Sequence, residues 1–146
     1  MKDSLKSVLD WLKGKGVDYA DARYVRTESE SCMVSDGIVE NLSRDVNVGV
    51  GIRVIDRGAW GFAAVSSLRE ADIKKAANRA LQTARASATT VKEKVRLTEA
   101  ESFRDHYKSP CEIDPFAVPT DEKIGLLLEI SDRLKSNPKI KTSEAS

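Results

Sequence analysis

The stretch GVGIRVIDRGAWGFAAVSSL, residues 49–68, decides how this chain is read. It alternates apolar with small or polar residues, carries four glycines and opens on Gly-x-Gly. A phosphate-gripping dinucleotide loop would need Gly-x-Gly-x-x-Gly between a strand and a helix. Here Val54 stands where the third glycine should be, and the alternation runs on past it. Just upstream, Val46, Val48, Val50, Ile52 and Val54 occupy successive even positions. No helix produces that pattern, and a half-buried strand produces it directly. Asp56-Arg57-Gly58 reads as a turn, and Trp60, Phe62 and Ala64 continue the apolar alternation on a returning strand. The stretch is sheet.

Its glycines then need a reason, because glycine weakens a strand and marks a close approach of other backbone. Gly49 and Gly51 sit at odd positions, so their face is nearly flat, and Gly61 and Ala63 are expected to extend it. Ser67-Leu68-Arg69-Glu70 has the pattern of a capping box. The helix beyond it places Ile73, Ala76, Ala77, Ala80, Leu81 and Ala84 on one stripe. An alanine-lined helix seated on a glycine-lined sheet accounts for both compositions. The other reading is a flat face beside a cleft in which an extended peptide runs. Arg53 is the charged residue on that face, suited to grip a peptide carboxylate or carbonyl, or to cap an edge or meet a nearby acid.

Working outward, Leu5, Val8, Leu9 and Leu12 make the apolar stripe of an N-terminal helix that Gly14 and Gly16 end. Residues 19–29, YADARYVRTES, alternate as a strand. Asp36-Gly37 between two β-type runs predicts a tight hairpin. Residues 89–120 hold three of the four prolines and no sustained period, which reads as a long irregular connection. Ile124, Leu127, Leu128, Ser131 and Leu134 then mark the inner face of a helix that starts after Pro119 and stops at Asn137-Pro138. The tail KIKTSEAS, 139–146, looks like the start of a strand. The expected fold is α+β: an antiparallel meander of about four strands backed by helices. It divides into a domain at 1–90, a linker at 91–118, and a helix with the start of a strand at 119–146.

The chain has 146 residues, 32% of them charged, with a net charge of +1. Lys and Arg are interleaved with Asp and Glu, so no basic stripe points to direct nucleic-acid binding. No apolar run suits a signal peptide or a membrane span. Cys32 and Cys111 are remote from each other and suit a reducing compartment, so the chain is read as cytoplasmic. His106, alone of its type, builds no zinc site and belongs on the surface. No zinc helix, nucleophile elbow or P-loop is present. Asp18 and Asp21 are expected to be solvated, and Trp60 to lie in the core.

YADARY (19–24), SDGIVEN (35–41), GVGIRV (49–54), WGFAAVSSL (60–68) and AANRALQTARA (76–86), in that order, resemble the N-terminal domain of the TldD/PmbA (TldE) family. DPFAVPTDEKIGLLLE (114–129) resembles that family's linker and next helix. The resemblance implies a zinc metallopeptidase, also known as a modulator of DNA gyrase, that acts on peptides and flexible polypeptides as a homo- or heterodimer. The family's metal motif, HExxxH with a later cysteine, lies beyond the matched region. Zinc is therefore expected in the full-length protein and not in this chain. No residue here takes a catalytic, cofactor-binding or metal role, Cys32 and Cys111 included. The chain is read as roughly the N-terminal third of such a protein, a substrate-handling and assembly domain. The alternative is a stand-alone, non-enzymatic interaction domain that regulates a partner. Without its C-terminal part, the tail from Lys139 is expected to be mobile or to pair with a neighbouring chain.

Overall fold

A computed structural model describes residues 1–99, 101 and 103–146. Helix α1 (Lys2–Lys13) precedes the long strands β1 (Tyr19–Ser35) and β2 (Ile38–Asp56), then β3 (Ala59–Val65). Helices α2 (Glu70–Ser87) and α3 (Thr120–Lys135) and the short strand β4 (Glu144–Ala145) follow. The four strands form one sheet in the order β3-β2-β1-β4, so the fold is α+β. Its membership differs from the expected one. Residues 19–65 supply three strands, because the runs on either side of Asp36-Gly37 merge with their neighbours into strands of 17 and 19 residues. The fourth strand is in the tail.

Both turns are two residues long with positive φ at each: 52° and 82° at Asp36-Gly37, 56° and 78° at Arg57-Gly58. That is the hairpin turn whose twist matches the strands. The chain divides into two units, Met1–Thr27 with Asn47–Ser102, and Glu28–Val46 with Phe103–Ser146.

In the first unit, Val50, Ile52 and Val54 of β2 are buried with Val8 and Leu12 of α1 and the whole predicted stripe of α2. Each large aliphatic side chain removed from water there contributes about 1.5–3 kcal/mol. Gly61 and Ala63 join this helix-facing side, and here the sequence expectation fails. The two-residue turn pairs Val54 with Gly61 and Ile52 with Ala63. Even positions of β2 therefore oppose odd positions of β3, and Gly61 lies on the face opposite Gly49 and Gly51. Only Gly61 meets the helix: a Cβ built there would lie 2.5 Å from Ala84 N. One at Gly51 would meet the Phe62 ring at 3.3 Å instead. The capping box also fails to form. Helix α2 begins at Glu70, after Ser67, and the Ser67 hydroxyl donates to Asp72 Oδ2 at 2.7 Å.

In the second unit, α3 half-buries Ile124, Leu127 and Leu128 and buries Ser131, while Leu134 is exposed. The tail is not left without a sheet. Val34 pairs with Ala145 and Ser35 with Glu144. Asp36 exchanges bonds with Ser143: its N–H donates to Ser143 O at 2.9 Å, and its Oδ1 accepts from Ser143 N at 3.0 Å. The Ser131 and Ser143 hydroxyls, both buried, bond at 2.8 Å. The described residues of 91–118 carry no helix or strand.

Candidate functional site

Strand β3 ends the sheet on one side, so among the described residues one of its edges has no strand partner. The residues whose backbone faces that edge follow from the turn. A two-residue hairpin closes on a hydrogen-bonded pair, here Asp56 with Ala59, and bonded and non-bonded pairs then alternate. Trp60, Phe62 and Ala64 fall in the non-bonded pairs and turn their N–H and C=O outward. Their side chains stand on the sheet face away from α1 and α2, with Gly51 and Arg53 opposite Ala64 and Phe62.

That face is open and partly aromatic. Phe62 is 61% exposed, and Trp60, expected in the core, is 37% exposed because the parity change turns it away from α2. A hollow of about 260 Å³ lies among Asp21, Arg23, Val25, Gly51, Arg53 and Phe62. Arg53 meets the nearby acid, with Nη2 2.6 Å from Asp21 Oδ2, and its guanidinium stacks 5.5 Å from the Trp60 ring centroid. Tyr19 donates to the same carboxylate at 2.9 Å and packs edge-on against Trp60. Its hydrogen bond to Asp21 pushes the Tyr19 phenol above its ordinary value, and the same carboxylate raises Arg53. Asp21 is thus half-buried and engaged, while Asp18 is exposed as expected, its Oδ2 accepting from Gly58 N at 2.9 Å and holding the second turn.

On the helix side of the edge, residues 63–65 of β3 and Asp72, Lys75, Ala76 and Arg79 of α2 line a second hollow of about 240 Å³. Ser67 and Arg69 both donate to Asp72 Oδ2 at 2.7 Å, and these bonds, the serine's first, hold the Asp72 carboxyl below its usual range. Lys75 is only 3.8 Å from Asp72 Oδ1, with its side chain 82% exposed. Sequence reasoning did not single out Lys75, Arg79 or the exposure of Phe62. Two cations one helical turn apart were visible, but their place beside a free strand edge was not.

Residues 20–84 match PmbA/TldA metallopeptidase domain 1. Over those residues the chain is similar to the N-terminal domain of TldD/PmbA proteins. It is 30% identical over 129 residues to a metalloprotease of Methanocaldococcus jannaschii, covering 88% of this chain and 28% of that protein. It is 28% identical over 74 residues to a metalloprotease TldD homolog of Haemophilus influenzae, covering 51% of this chain and 15% of that one. The fold is similar to that of a modulator of a DNA gyrase from Thermotoga maritima MSB8, with a TM-score of 0.74 at 14% identity, over 98% of this chain and 32% of the other. It is also similar to TldE from Thermococcus kodakarensis, with a TM-score of 0.63 at 19% identity, over 91% and 28%. The chain thus spans less than a third of the length of the relatives it matches.

Among the described residues, no three His, Cys, Asp or Glu side chains gather to hold a metal ion. The half-buried Cys32 lies 4.0 Å from Glu30, whose carboxylate is taken by Lys123 Nζ at 2.6 Å. Cys111 is exposed and donates to Ile113 O, and His106 is exposed in an irregular segment. No helix among the described residues is long and apolar enough to cross a membrane.

Proposed function

We propose that this domain holds extended segments of peptides or flexible polypeptides for a TldD/PmbA-type metallopeptidase. The segment adds a strand to the outer edge of β3. The zinc centre and its catalytic groups belong to parts of the full-length protein outside this chain. That protein works in the cytoplasm as a homo- or heterodimer with a family member, without direct contact to nucleic acid or membrane.

The observation that carries this reading is the edge itself. Trp60, Phe62 and Ala64 offer outward N–H and C=O groups beside an open aromatic face. Main-chain pairing to an edge binds any extended sequence, and the flanking surfaces grade the side chains. A peptidase of flexible chains needs that combination.

Ala64→Pro tests it. The N–H of Ala64 points outward, so proline removes a donor from the edge and none from the ladder, the one arrangement in which a strand tolerates proline. The variant is expected to keep the circular dichroism and melting temperature of the parent and to lose binding to a fluorescein-labelled unstructured polypeptide. Retained affinity in the folded variant refutes the edge as the holding element.

A further inference from the structure

A strand added to β3 would send alternate side chains to opposite sides of the sheet. On the open side they meet Trp60, Phe62 and Ala64, an apolar and aromatic surface. On the other side they enter the hollow beside α2, where Lys75 and Arg79 outnumber the one carboxylate, Asp72. Arg69 and Ser67 occupy Asp72. Lys75 pairs with Asp72 Oδ1 at 3.8 Å through a side chain that is 82% exposed, and Arg79 has no ion pair or hydrogen bond among the described residues.

The spacing is as informative as the sign. Lys75 and Arg79 are four residues apart on α2, a rise of about 6 Å. Same-side residues of a strand are about 6.8 Å apart. Helix and strand run alongside each other: Gly61 lies against Ala80 and Ala84, and residues 63–65 share the hollow with Asp72 and Ala76. Two side chains at positions i and i+2 of an added strand thus fall opposite the two cations.

We infer that the β3 edge selects extended peptides with acidic residues at alternate positions facing Lys75 and Arg79, and apolar residues at the positions between them facing Phe62 and Trp60. This rests on the edge-pairing reading above and adds the substrate class to it. A second copy of this chain is a poorer occupant. Antiparallel pairing of two β3 edges puts both α2 helices on one face of the joined sheet and brings Lys75 and Arg79 of each copy against the other's. Strand β3 itself contains no acid to answer them.

The test uses three blocked, labelled peptides of alternating Glu/Val, Gln/Val and Lys/Val sequence, with binding to the whole chain read by fluorescence anisotropy at low and high salt. The Glu peptide is expected to bind about tenfold more tightly than the Lys peptide, with the gap closing as salt screens the charges. The double variant Lys75→Glu/Arg79→Glu should reverse that order. Equal affinity of the three peptides for the parent overturns the inference, as does an order the double variant fails to change. If the Gln peptide binds the parent and not Ala64→Pro, edge pairing stands even when charge selection fails. A parent chain that sediments as a dimer, while Ala64→Pro is monomeric, assigns the edge to a second copy and also overturns the inference.

Discussion

Replacing Gly61 by alanine adds one methyl group at the tightest point between sheet and helix. Its Cβ would stand 2.5 Å from Ala84 N and 3.0 Å from Ala80 C, and closer still to the Ala80 carbonyl oxygen. These are helix backbone atoms, so no rotamer change clears the way. Ordinary contact requires α2 to retreat from β3 by roughly 1 Å, and a gap of 0.5–1 Å already forfeits about a quarter to a half of each dispersion contact. The stripe that would lose those contacts includes Ile73, Ala77, Ala80, Leu81 and Ala84, all buried. Overpacking of this kind costs about 1–3 kcal/mol, and an obstruction by backbone belongs at or above the top of that range. At this chain length, about 3 kcal/mol corresponds to a fall in melting temperature of roughly 10 °C. Gly51→Ala is the control, because its methyl meets only the exposed, movable Phe62 ring at 3.3 Å. Thermal and urea melts of both variants by circular dichroism make the comparison. A Gly61→Ala midpoint within a degree or two of the parent would refute the close packing of α2 on β3.

Two further outcomes concern the second unit. The backbone N–H of Ser143, then Lys135, hold the Asp36 carboxyl below its ordinary value. A carboxyl depressed in the folded state contributes stability above its unfolded value and loses it as pH falls through the folded value. Protection factors of the amides of 143–145, corrected for intrinsic exchange, should therefore fall once pH drops below the ordinary carboxylate range, and Asp36→Asn should remove that dependence; protection factors in the parent that hold level through that range contradict it. Ser131→Ala deprives the buried Ser143 hydroxyl of its 2.8 Å partner and should cost about 1–2 kcal/mol in a urea melt, with the double variant Ser131→Ala/Ser143→Ala recovering part of the loss.

Much of this was legible along the chain, because the signals are local. Periods of 3.6 in residues 5–12 and 73–84 place α1 and α2 whatever surrounds them, and the α2 stripe is buried residue for residue. Asp36-Gly37 and Arg57-Gly58 make their turns through the backbone freedom of the residues themselves. The ordered motifs carried the family.

What required the tertiary structure was every question of which face meets what. Alternation tells that a strand has two sides, not which side a neighbouring strand continues. The two-residue turn reversed the parity between β2 and β3, sent Gly61 and Ala63 to the helix and put Trp60 on the open face. A tail of eight polar-looking residues found its partner in Val34 and Ser35, more than a hundred positions earlier, which no local pattern announces. The free edge of β3 and the two cations beside it are likewise set by strand order and helix placement, long-range geometry that residue spacing does not encode.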